Sequence, residues 1–333
     1  FAQSNDASTD QSGDNNTANT QQTGSSNQAD LIQRNYGGAG STGHTAEVKQ
    51  NGGSNTATLL SQGGVGSNDL NVLQRGNSND VTVAQFWGSN TADIDQIGES
   101  NVAEVAHRTT YNSEATIYQA GDRNEASIRD PGQQANGASA NNSQTSSSIY
   151  QNGSDNDADV FQSGNMNSAD IDQRGDNQSA SQWVVGEGNT VTQTQRVADN
   201  RQRIEISGDD NVFSATQKGG TGNQLYVNAR GGGTGAPPTG ISSGKSFDSD
   251  FTGLQVGSDN VISGAMGGLD NSLTITQRGD GNLVTNGAGT FDAEGFLQKG
   301  DGNVAAIMQH GDMNSAVLSQ VGNGNHSTIT QSD

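Results

Sequence analysis

The sequence predicts an all-β fold, a two-sided β-solenoid of stacked strand–turn–strand coils. Three observations carry this. Asparagines recur every eleven residues at Asn68, Asn79, Asn90, Asn101 and Asn112. Within one unit, Asn90, Ala92, Ile94, Gln96 and Gly98 stand two apart. Two is the side-chain period of a strand, so these residues share one side of it. The intervening Thr91, Asp93, Asp95 and Ile97 are mostly polar, as a solvent-facing side should be. One arm is therefore a short strand with a designated inner face, closed by a Gly-containing turn. It cannot bury that face alone and must stack on other arms.

Composition alone points elsewhere. Only 29% of residues are hydrophobic and 5% aromatic, with 47 glycines, a profile that suits disorder. The periodicity overrides it, because a disordered chain has no reason to hold Ala, Ile and Gln at fixed offsets. We expect a single solenoid domain over residues 1–333. The net charge of −21, from 36 acidic and 15 basic residues, argues against nucleic acid or an anionic membrane as partner. Without cysteine there is no disulfide or thiolate chemistry. No apolar run is long enough to insert in a membrane as a helix. The start, Phe1-Ala2-Gln3-Ser4, lacks a basic then apolar region, so a signal peptide would already have been removed from a secreted form.

Taken in order, the first arms begin at Asn5 and Asn16 and keep Ala7, Gln11, Gly13 and Ala18, Gln22, Gly24. Their central inward residues are Thr9 and Thr20. Each forgoes the roughly 1.5–3 kcal/mol of burying Ile, Leu or Val, so these arms should be the weakest at this end. The arm at Asn27 restores Leu31 and Gln33. A Gly-rich insertion near 35–43 follows, and His44 then takes the Asn place before Ala46, Val48, Gln50 and Gly52. After Asn112 the register slips by one, to Ala115, Ile117, Gln119 and Gly121. The arm at Asn124 ends in Asp130, and the stretch near 131–146 reads as one degenerate arm. Pro131 lacks a backbone donor and suits a strand end.

Regularity returns with Ile149 and Gln151, then Asn156, Ala158, Val160 and Gln162. Arms follow at Asn167, Gln178, Asn189, Asn200, Asn211 and Asn223. A second insertion near 231–248 holds Pro237-Pro238 and reads as a surface loop. Arms resume near Ser249 and at Asn260, Asn271, Asn282, a degenerate Asp292, Asn303, Asn314 and Asn325. The count is about 28 arms, or about 14 coils of about 22 residues.

Stacking places each inward Asn over an Asn two arms away, and each Gln over a Gln. The expected inner ladder holds Asn68, Asn79, Asn90, Asn156, Asn167, Asn271, Asn303 and Asn314. With them stand Gln74, Gln85, Gln96, Gln162, Gln173, Gln277, Gln309 and Gln320. Amides donate and accept, so identical amides bond along a column. An isolated buried amide would cost roughly 1–3 kcal/mol. Ala92 and Ile94 represent the small and large residues that close the thin core.

Joined end to end, arms read Gln-x-Gly-x-x-Asn-x-Ala-x-x-x-Gln, as in Gln162, Gly164, Asn167, Ala169, Gln173 and again in Gln309, Gly311, Asn314, Ala316, Gln320. This resembles the curlin repeat of curli major subunits, a bacterial extracellular functional amyloid. The chain departs from that pattern in its many repeats, its two insertions and several arms lacking Gln or Asn. The resemblance implies a homopolymer fibre outside the cell, secretion through an outer-membrane pore, a surface-bound nucleator and a place in a biofilm matrix. The alternative is a monomeric adhesin or matrix-binding protein of the same fold.

Other chemistries have weaker support. His44, His107, His310 and His326 sit in different arms, and no Gly-x-Ser-x-Gly elbow presents a nucleophile. No cofactor or metal is expected. Asp155, Asp157 and Asp159 alternate, but no EF-hand Gly or closing Glu follows, so acidic turns are expected to be solvated. Thr190, Thr192 and Thr194 suggest one rung of an ice-binding face, yet Asp170, Asp172, Arg201, Arg203 and Glu205 in neighbouring arms argue against it. Finally, Arg174, Arg196, Lys218, Arg278 and Lys299 share the position after the Gln place. Counting alternate arms predicts an outward basic column, neutralised by nearby acids or able to dock an anionic matrix polymer.

Overall fold

In a computed structural model, residues 4–36, 42–63, 66–108, 111–131, 144–230, 246–284 and 295–332 are described. All regular structure among them is β-strand. The chain divides into two compact units, Phe1–Met166 and Asn167–Asp333.

In the first unit, consecutive arms alternate between two parallel sheets. Sheet A runs Asp6–Ser12, Gln28–Asn35, Thr56–Gly63, Asp80–Phe86, Val102–His107, Glu125–Asp130 and Asp157–Ser163. Sheet B runs Thr17–Ser25, Thr45–Gly53, Asp69–Asn77, Thr91–Glu99, Glu114–Ala120 and Ser146–Asn152. The register keeps like on like. Ala92 lies between Leu70 and Ala115, Ile94 between Val72 and Ile117, and Gln96 between Gln74 and Gln119. Buried and exposed residues alternate along Thr91–Glu99 up to the turn, so the inner face is dry and the outer wet. The outermost strands differ. Asp6–Ser12 is exposed throughout and Thr17–Ser25 is at most half-buried, because each has a strand neighbour on one side only.

The turns hold their glycines for two reasons. Gly98 has φ 125°, and a Cβ there would lie 2.0 Å from the Gly121 carbonyl oxygen of the next coil. Each coil presses its turn onto the one beside it, and only hydrogen fits.

The second unit repeats the scheme. Sheet D runs Ser168–Arg174, Thr190–Arg196, Val212–Lys218, Asp250–Val256, Ser272–Arg278, Val304–His310 and His326–Ser332. Sheet C opens with Ser179–Val185, Arg201–Asp209, Gln224–Arg230 and Val261–Gly267. Its last two arms are each split, into Leu283–Val284 with Phe296–Lys299 and Ser315–Ala316 with Leu318–Val321. Aromatic side chains thicken this core. Phe213 and Phe251 stack at 5.8 Å, and Phe251 and Phe296 at 5.9 Å. Phe296 fits because its neighbour in the sheet is Gly264, where a Cβ would lie 2.3 Å from the ring.

Two sequence expectations change. Ser113, not Asn112, takes the inward place, since its backbone N–H bonds Asn90 Oδ1 at 3.0 Å. Asn112 instead takes the left-handed turn position, φ 57°. The arms expected at Asn282 and Asp292 are one arm, because both of its pieces pair with Val261–Gly267. An insertion of nearly one arm's length lies between them, which mimics an extra repeat. Most of the expected insertions (37–41 and 231–245) and of the degenerate arm (132–143) lies outside the described residues. The strands flanking the latter, Glu125–Asp130 and Ser146–Asn152, lie in opposite sheets as consecutive arms do.

Candidate functional site

Each unit has two edges where the sheets meet. At one, the Gln column of sheet B or D adjoins the Asn column of sheet A or C. Here the amide places are filled throughout within each unit, save that Gln178 stands in an Asn place of the second. In the first unit Gln22, Gln50, Gln74, Gln96 and Gln119 each donate from Nε2 to Oε1 of the next Gln, ending at Gln151, at 2.8–3.0 Å. The same amino groups reach across the turn to backbone carbonyls, as Gln96 does to Asp80 at 3.1 Å. In the second unit the chain is Gln173, Gln195, Gln217, Gln255, Gln277, Gln309 and Gln331.

The Asn columns run the other way. Asn79 donates from Nδ2, and from its backbone N–H, to Asn55 Oδ1, each at 3.1 Å. Asn101, Asn124 and Asn156 repeat this toward the N-terminus. Each Asn also binds a turn carbonyl, as Asn79 does Gly98 at 2.9 Å. In the first unit every side-chain amide in the interior of these two columns thus both donates and accepts, which offsets the cost of burying it.

The other edge is mixed. Asn68, Asn90, Asn167, Asn271 and Asn303 line it, as do Gln85, Gln162 and Gln320, all of them buried. Between them, however, Ser61, His107 and Asp130 take Gln places in sheet A, while His44, Ser113 and Thr145 take Asn places in sheet B. In sheet C the Gln places go apolar at Val184 and Ile206. Substitutes find local partners. His44 Nδ1 accepts the Asn68 backbone N–H at 3.2 Å, and Asp130 accepts the hydroxyls of Ser113 and Thr145. Gln85 Nε2 lies 3.4 Å from His107 Nδ1. Burial pushes the His107 imidazole down from 6.5 to about 4, and holds His44 below the usual range.

Of the predicted ladder, Gln74, Asn79, Gln96, Asn156, Gln173, Gln277 and Gln309 are buried at the amide edge. Asn314 joins them half-buried, on the last coil. Ala92 and Ile94 fill the middle. The sequence did not reveal that the two edges differ. The signal lay in the arms themselves, because every His, Asp or hydroxyl that replaces an inward Asn or Gln in the first unit belongs to one edge.

The basic column is shorter than expected. Arg174, Arg196 and Lys218 stack in sheet D, then Val256, Arg278 and His310. Lys299 does not join them. It lies in sheet C beside Gly267 and Val321, because merging the Asn282 and Asp292 arms reverses the parity of the count. Asp172 binds both Arg174 Nε at 3.0 Å and Arg196 at 2.8 Å. The acidic turns are hydrogen-bonded rather than merely solvated. Asp280 Oδ1 accepts the Ser258 N–H at 2.7 Å, Asp312 that of Asp280 at 2.9 Å, and Asp301 that of Leu269 at 3.0 Å. Asp155 and Asp159 pair with Arg123 and Arg129. The Gly-Asp dipeptides of these turns were the readable signal, since the acid follows the turn Gly and reaches the neighbouring coil.

The family model of the curlin associated repeat matches residues 67–98, 111–164, 141–173 and 300–332. No curated protein matches the chain significantly.

Proposed function

Because the curlin associated repeat matches four stretches of the chain, we propose that the chain is the structural subunit of a curli-like extracellular amyloid fibre, and that it polymerises head to tail. One observation carries this reading: the two ends of the ladders are complementary. At the N-terminal end, Oε1 of Gln11 and of Gln22 accepts no hydrogen bond among the described residues, while both side chains donate inward. At the C-terminal end, Gln320 and Gln331 each accept from the rung behind and use Nε2 on a backbone carbonyl, Val304 and Ser315 respectively. Each retains a second N–H with no rung to meet. Stacking His326–Ser332 on Thr17–Ser25 of another copy, and Leu318–Val321 on Asp6–Ser12, would bring donor to acceptor in both columns. It would also pair the open strand edges.

This assigns no catalysis to the chain. A secretion pore and a surface nucleator are the partners the family reading adds, and a biofilm matrix its setting. Negative-stain images and seeded elongation of the purified full chain test the assembly. Fibres are expected. The single variant Gln331→Leu, which would leave Gln22 Oε1 of the next copy without a donor, should elongate about tenfold more slowly, since an unmet buried amide costs roughly 1–3 kcal/mol. Persistent monomers under assembly conditions would favour a monomeric adhesin instead.

A further inference from the structure

Sheet D presents two outward ranks of side chains in register across four consecutive strands. One holds Thr192, Ser214, Thr252 and Thr274. The other holds Thr194, Thr216, Leu254 and Thr276. All are exposed or half-buried. Among the described residues none of their hydroxyls hydrogen-bonds to another protein group, so that capacity is turned to water. The ranks carry no charge. The same ranks of sheet B carry Glu47, Lys49, Asp93 and Asp95, so the pattern is not a general property of the outer faces. Arg201, Arg203 and Glu205, which the chain order sets beside Thr190–Arg196, lie in sheet C. Asp170 and Asp172, one strand before the array, share its sheet, and the basic column of Arg196, Lys218 and Arg278 borders the second rank along one side.

The array is spaced in two directions by the backbone. Parallel strands stand roughly 4.8 Å apart, and residues i and i+2 on one strand roughly 6.6 Å apart. The inter-strand repeat is close to the shorter oxygen spacing on a prism face of hexagonal ice, and the along-strand repeat falls somewhat short of the longer one. Threonine is stiff at χ1, so its hydroxyls and methyls hold common orientations along a rank. Water bound to one rung is therefore in position to bond water on the next, and each bridging water costs little to immobilise. We propose that this threonine face binds ice.

The proposal is independent of fibre formation, because both ranks lie within one unit. The test uses the full chain in slow partition between growing ice and melt, with recrystallisation inhibition as a second readout. The parent should enter ice severalfold above a non-binding control protein. Thr194→Lys with Thr276→Lys should lose that enrichment, while Thr58→Lys with Thr82→Lys, on the outer face of sheet A, should retain it. If the lysine pair does not fold, Thr194→Val with Thr276→Val keeps the shape and should lower the enrichment severalfold. Exclusion of the parent from ice overturns the proposal, as does parent-like partition of the sheet D variants. Loss of lateral fibre bundling in those variants, without ice uptake by the parent, would make the face a contact between copies and overturn it equally.

Discussion

Ile94 and Asp93 adjoin in the chain and face opposite media. Ile94 is fully buried between Val72 and Ile117, and Asp93 is exposed, accepting one bond from Asn71 at 3.0 Å. Ile94→Asp would place an unpaired charge between two sheets and should cost about 3–5 kcal/mol. Asp93→Ser should cost under about 1 kcal/mol. Denaturant midpoints and fibre yield separate them, and equal yields would contradict this register. His107 gives a pH prediction. Its pKa falls from 6.5 to about 4 on folding, so the unfolded chain takes up the proton first. Stability should be unaffected above pH 6.5, fall between 6.5 and 4, and level off below. The full loss is about 3 kcal/mol. His107→Gln, which offers Gln85 an amide partner, should flatten that slope in denaturant titrations across this range. At this scale the sequence was readable where period and chemistry agreed, as at Ile94. It misled at Asn112, where the eleven-residue count favoured Asn but the turn needed a left-handed residue just before the inward Ser113.

Strands and turns were legible because each arm carries its own alternation and its own glycine. Which arms share a sheet was legible wherever an insertion could be told from an arm, as across 231–248, where Lys218 and Arg278 kept their expected sheet. The insertion at 285–294 is nearly as long as an arm, so counting across it put Lys299 on the wrong sheet. The aromatic stack of Phe213, Phe251 and Phe296 was hidden for another reason. It draws on two arm positions and both sheets, and the inward Gly264 makes sense only with Phe296 beside it. Turns allow a paired test. Gly98→Ala meets both a left-handed φ and a carbonyl at 2.0 Å, whereas Gly302, φ 65°, has nothing within 4 Å of a new Cβ. Gly302→Ala should cost about 1–2 kcal/mol for conformation alone. Gly98→Ala should cost more and should reduce seeded elongation, because the turns of successive coils no longer close up.

Across the whole molecule, each copy carries a net charge of −21, while the amides that would join copies are neutral. Charge therefore opposes an approach that the ladder ends favour. Elongation at fixed protein concentration should quicken as salt shortens the Debye length from about 30 Å at 0.01 M to about 8 Å at 0.15 M. Dye-binding kinetics at the two salt levels check this, and salt-independent rates would place the barrier elsewhere. The opposed Gln and Asn columns bear on the same fibre in electrical terms. Aligned amides add their dipoles, and in a helix that sum charges the two ends. Here Gln22, Gln50 and Gln74 point one way and Asn55, Asn79 and Asn101 the other, so the moments cancel within each coil. However many coils are stacked, these ladders contribute no dipole moment that grows with length, so the field at a growing end is left to the charged side chains.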